Sequence, residues 1–72
     1  MDEIIENIRE SLKKNRLFDL RETLKVLHPE DIAGLLERLE ENEKEKVFSE
    51  LDVEVAADVL LELGDESLSF LL

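Results

Sequence analysis

Carboxylates dominate the chemistry this chain can offer. It carries 20 acidic residues against 9 basic ones and a single histidine, for a formal net charge of −11. Hard oxygen donors in that number suit divalent cations or a basic partner. Their placement is uneven. Residues 1–26 hold 6 acids and 6 bases (Arg9, Lys13, Lys14, Arg16, Arg21 and Lys25), whereas residues 27–72 hold 14 acids against only Arg38, Lys44 and Lys46. This excess reads either as a solvated exterior that keeps a leucine-rich domain in solution or as a surface meant for cations. It repels a phosphate backbone, so nucleic acid is not expected as a partner, and anionic membrane surfaces are disfavoured for the same reason.

Other chemistries find little support. Without cysteine there is no disulfide, no thiolate metal site and no thiol nucleophile. His28 precedes Pro29 and reads as a helix cap or packing residue rather than a general base. Ser11, Thr23, Ser49, Ser67 and Ser69 have no evident His–Asp setting for activation. Phe18, Phe48 and Phe70 are far apart and lack the basic surround of a base-stacking platform. An enzyme is not expected. No apolar run approaches the ~20 residues of a membrane span, and the Met1-Asp2-Glu3 start lacks the basic-then-apolar layout of a leader. Direct membrane insertion is therefore not expected either.

The elements that must position these groups are helices. At 72 residues there is room for one small domain, whose core must come mainly from 15 leucines in the absence of Trp and Tyr. Ile4, Ile5, Ile8 and Leu12 recur at helical spacing after Asp2, with Asn15 as a left-handed stop. A second helix carries Leu17, Leu20, Leu24 and Leu27. Pro29 suits a first helical position, with Glu30 and Asp31 on the positive end of the dipole, and opens a third helix with Ile32, Ala33, Leu35, Leu36 and Leu39. Asn42 and Glu45 suggest a capping box for a fourth helix with Val47, Phe48 and Leu51. Asp52 caps a fifth with Val55, Ala56, Val59, Leu60 and Leu63, closed by Gly64, and Asp65 caps a sixth that ends in Phe70-Leu71-Leu72. The expected class is all-α, a short helical-repeat superhelix of about six short helices.

The pattern repeats at 24 residues: Leu27, Glu30, Ala33, Leu36 and Leu39 fall on Leu51, Glu54, Ala57, Leu60 and Leu63. Residues 27–50 and 51–72 then read as repeat units of one helical domain (1–72), preceded by a helical pair over 1–26. The apolar finish at Ser69-Phe70-Leu71-Leu72 leads us to expect that the natural protein continues, or that this end packs against another chain, a homodimer included.

The run from Leu27-His28-Pro29-Glu30-Asp31-Ile32-Ala33-Gly34-Leu35-Leu36 to Leu39 resembles the opening of the N domain of MgtE-type magnesium transporters, where an L-H-P-x-D-[IL]-A-x-L-L stretch leads into a short helix. The family's second stretch, A-A-[ED]-V-L, is matched at the right distance by Ala56-Ala57-Asp58-Val59-Leu60. The resemblance is loose over 1–26 and closer over 27–63. It implies a cytoplasmic right-handed superhelix that precedes CBS domains, a plug helix and a transmembrane pore. It also implies that Mg²⁺ sits between the N and CBS domains of the transporter and screens their carboxylates. Family N domains are longer, so this chain corresponds to about the first half of one. The acid after Ala-Ala carries over to Asp58 as a metal-ligand position in an incomplete site, the family's other acids lying beyond Leu72. The 24-residue register also sets Asp58 on Gly34, as an ordinary exposed position. Glu54, Glu62 and Glu66 can neighbour it, but no motif singles them out.

A second resemblance is to the middle domain of the flagellar switch protein FliG, which uses an H-P-x-x-I-A stretch ahead of short acidic helices and implies a protein-docking module. That stretch usually reads E-H-P-Q, and here Leu27 and Glu30 stand at the flanking places.

Overall fold

The computed structural model describes residues 2–72, and Met1 of the Met1-Asp2-Glu3 start, with its lack of a leader-like layout, lies outside them. Six helices follow one another: α1 (Asp2–Lys13), α2 (Leu17–Lys25), α3 (Pro29–Glu37), α4 (Glu41–Ser49), α5 (Val53–Glu62) and α6 (Asp65–Leu71). No strand occurs among the described residues. The all-α class is the one the periodicity requires.

Local chemistry sets most of the boundaries. Asn15 takes the left-handed conformation, at φ 55°. Around it the Asn15 N–H donates to the Leu12 carbonyl (3.2 Å) and the Arg16 N–H to the Ser11 carbonyl (2.8 Å). That pair of bonds is a Schellman motif, which satisfies carbonyls the helix end would leave open. At the next boundary His28 is extended and stands at the N-cap, with Pro29 in the first helical position. Its N–H donates to Asp31 Oδ2 at 3.2 Å, so the acid three residues on reaches back to close the cap.

Four of the nine residues of α3 (Ile32, Ala33, Leu35 and Leu36) are buried, and this helix packs against α4 and α5. Helix α1 packs on α2 and α4 through Ile5 and Ile8. Leu20, Leu24, Val47 and Val59 complete the enclosure from the other helices. At 24-residue separation Leu35 and Val59 are both fully enclosed, and Leu39 and Leu63 are both nearly so, whereas Ala33 is buried and Ala57 exposed, and Leu36 is enclosed and Leu60 only half-buried.

Several boundaries differ from the expectation. Leu27 follows the end of α2 in a turn, and Leu51 likewise follows α4. The cap of α4 is Glu40, whose N–H donates to Glu43 Oε1 at 2.9 Å, not Asn42 with Glu45. Starting two residues earlier leaves only Arg38 to Glu40 between helices and turns Lys44 and Val47 inward. Asp52 holds the N-cap position of α5 through its carbonyl, which accepts from the Ala56 N–H at 2.8 Å, while its side chain makes no cap bond. Gly64 does not close α5, whose C-cap is Leu63. The glycine is extended (φ −70°) at the N-cap of α6, which moves Asp65 into the first helical position.

One exposed glycine sits inside α3 without a structural reason. A Cβ at Gly34 would meet nothing within 4 Å. Glycine in an exposed helix interior costs about 1 kcal/mol relative to alanine. Gly34→Ala should therefore raise stability by roughly that amount. Urea unfolding checks it, and a fall in the midpoint would mean that α3 needs the missing side chain.

Candidate functional site

Among the described residues three ion pairs join the first helical pair to the rest of the chain. Arg9 Nε lies 3.4 Å from Glu43 Oε1, Arg21 Nε lies 2.8 Å from Glu50 Oε1, and Arg38 Nη2 lies 2.8 Å from Asp2 Oδ1. Arg9 Nη2 also donates to the Arg38 carbonyl at 3.1 Å. Two further pairs, Lys14–Glu10 and Lys25–Glu22, stay within one helix. Each such exposed pair contributes little to stability. Their distribution matters more. Of the six bases of residues 1–26, Arg9 and Arg21 engage α4 and its C-terminal cap, and among the described residues none forms an ion pair with α5 or α6.

Residues 51–72 contain six acids (Asp52, Glu54, Asp58, Glu62, Asp65 and Glu66) and no base. None of the six takes part in an ion pair among the described residues. Residues 27–50 share the acidic excess, since Glu30, Asp31, Glu37, Glu40, Glu41 and Glu45 also make no ion pair among the described residues; what sets residues 51–72 apart is that they contain no base at all.

Asp58 lies on the exposed side of α5. The helix is held by the fully buried Val59, with Val55 and Leu60 half-buried against the core. That arrangement turns Glu54, Asp58 and Glu62 outward in a row, one helical turn apart, about 6 Å from each to the next. Beside this row runs a second one. Val53, Ala57 and Leu61 share the same four-residue spacing, and all three are exposed, Val53 at 85% and Leu61 at 82%. Among the described residues no three Asp, Glu or His side chains converge closely enough to hold a metal ion. Glu66 belongs to α6 and is likewise exposed.

The structure brings together one pair that sequence reasoning missed. Lys44 is buried, and its Nζ donates to Ser67 Oγ at 2.9 Å, tying α4 to α6. A serine beside a lysine is the pair some hydrolases use. Here the hydroxyl is 1% exposed, so no substrate can reach it, and the bond acts as a buried tie. The 23-residue separation and the ordinary look of both residues left no signal for it in the sequence. The apolar row on α5 did leave one: Val53, Ala57 and Leu61 fall outside the arc occupied by Val55, Ala56, Val59 and Leu63.

A cleft of about 520 Å³ between α1 and α4 is lined by Glu6, Arg9, Glu10, Lys13, Glu43 and Lys46, among others. Both signs of charge line it, and Arg9 and Glu43 face each other across it. Asp58 is not part of it.

The pattern of the MgtE intracellular N domain matches residues 27–72. The chain belongs to the MgtE N-domain family. The match starts at Leu27, where the L-H-P-x-D stretch begins, and of the two resemblances it is the transporter-domain one that is shown. Searches of curated proteins and of solved structures gave no match. The structure explains the local part of the family stretch: Leu27 packs against the core, His28-Pro29 opens a helix, and Asp31 closes its cap. No helix among the described residues is long and apolar enough to cross a membrane.

The acidic surface and the ion pairs respond to pH in opposite directions. Asp2 is held below its ordinary value of 3.8 by the hydrogen bond and charge of Arg38, and Glu10 below 4.5 by those of Lys14. A depressed folded-state pKa stabilises above the unfolded value, and that contribution is lost as pH falls through the folded one. Protonating the unpaired carboxylates relieves self-repulsion meanwhile. The melting temperature should thus rise from neutral pH to about pH 4.5, then fall as Asp2 and Glu10 lose their partners' benefit. In Arg38→Gln the acid-side fall should be shallower. A maximum that stays at neutral pH would show that specific pairs outweigh self-repulsion.

Proposed function

We propose that this chain is a cytoplasmic regulatory, Mg²⁺-sensing module of a magnesium transporter, whose acidic surface docks on a partner domain through divalent cations. The observation that carries this reading is the coincidence of two things on residues 51–72: membership of the MgtE N-domain family, and six carboxylates with no intramolecular base. Two such surfaces repel until cations lie between them. By the family resemblance the partners are the CBS domains and the transmembrane domain of the same transporter, with residues 27–50 and 51–72 as consecutive units of a superhelix.

Asp58 suits one side of a shared Mg²⁺ site. Mg²⁺ keeps several of its waters and takes one or two carboxylates, so a single exposed acid from this chain is an appropriate contribution. The ion would supply charge neutralisation between the two surfaces. Asp58 offers an outward carboxylate on a helix anchored by Val59, with Glu54 and Glu62 adding to the local field.

Calorimetric titration of MgCl₂ into the chain alone should give millimolar affinity at best, since the partner side is missing. Mixed with CBS domains of an MgtE-type transporter, the chain should associate in a Mg²⁺-dependent way, and Asp58→Asn should raise the Mg²⁺ required. Micromolar binding by the isolated chain would contradict a shared site, and association without divalent cations would contradict the docking mechanism.

A further inference from the structure

We infer that the outer face of α5 docks a basic amphipathic helix, which seats an apolar side chain on the Val53–Ala57–Leu61 row and aligns lysine or arginine with Glu54, Asp58 and Glu62. Single exposed apolar residues are normal on a protein surface, and Phe18 and Val26 on or beside α2 are examples. Val53, Ala57 and Leu61 differ because their spacing makes them a continuous ridge of the kind that helices pack together. Ala57 is small and lies between two larger side chains, so the ridge has a notch at its middle that accepts one large apolar group.

The charge beside the ridge selects the occupant. The carboxylate row spans about 12 Å along the helix, too long for one cation to neutralise but matched by basic residues at four-residue spacing on a second helix. Nothing in residues 51–72 can supply that charge; of the three bases of residues 27–50, Arg38 and Lys44 engage Asp2 and Ser67, and Lys46 lines the cleft between α1 and α4. A second copy of this chain would bring the same excess of acid, so it is the weaker match. The inference goes beyond the magnesium reading and does not depend on it. A divalent cation at Asp58 would compete with the helix rather than recruit it.

The test uses two labelled synthetic helical peptides of roughly 18 residues. Both carry leucine at four-residue spacing; one has lysine and the other glutamate at the flanking positions. In fluorescence anisotropy with the 72-residue chain at low salt, the lysine peptide should bind and the glutamate peptide should not. Leu61→Ser should weaken binding by roughly tenfold, and so should Glu54→Gln/Asp58→Asn/Glu62→Gln. Phe18→Ser, exposed elsewhere, should leave it unchanged. MgCl₂ should weaken binding at least as much as NaCl of equal ionic strength.

Binding that survives Leu61→Ser would reduce the contact to general attraction between opposite charges and overturn the inference. So would equal binding of both peptides, no binding at all, or strengthening by Mg²⁺. If the chain self-associates in sedimentation velocity and Leu61→Ser restores the monomer, the occupant is a second copy and the inference fails in that way. None of these results bears on Mg²⁺-dependent association with CBS domains, so the two readings fail separately.

Discussion

The enclosure of α3 is the constraint on which the rest depends. In a chain this short no other helix has four of nine residues buried, and α4 and α5 both rest on it. Each large aliphatic side chain withdrawn from water contributes about 1.5–3 kcal/mol, so Ile32, Leu35 and Leu36 outweigh any surface pair in the molecule. What α5 presents to solvent follows from this. Once Val59 is seated in the core, helical geometry turns Glu54, Asp58 and Glu62 outward together.

Charge is distributed around that core in two different ways. The balanced first segment sends Arg9 and Arg21 to Glu43 and Glu50, and receives Arg38 on Asp2. The last two helices have no base to send or receive. The net charge of −11 lies wholly in residues 27–72, and only its last part, where the second family stretch lies, has no base of its own. Membership of the MgtE N-domain family is the ground on which the proposed role of this surface stands.

Much of this was legible in the residues because the controlling interactions are local. Helical periodicity, the Asn15 stop and the Pro29 start need only neighbours a turn away. The errors arose where two local signals competed. Asn42 is the better cap by residue preference, yet Glu40 starts α4 because the turn after α3 is short and Glu43 can reach back. Gly64 reads as the close of the fifth helix, but extended backbone at Leu63 and Gly64 connects α5 to α6 instead. The Lys44–Ser67 tie was illegible because it joins residues whose types ordinarily face water. Asp58 is singled out only by the family stretch; its outward placement on α5 agrees with the ordinary exposed position that its alignment with Gly34 implies.

The central claim is that the outer face of α5 has no part in holding the fold together and is free to meet a partner. Neutralising it completely with Glu54→Gln/Asp58→Asn/Glu62→Gln and measuring urea unfolding tests this most directly. If the claim holds, stability stays the same or rises by up to about 1 kcal/mol as like charges one turn apart are removed. A loss of more than about 1 kcal/mol would show that these carboxylates stabilise the native chain and would contradict the account.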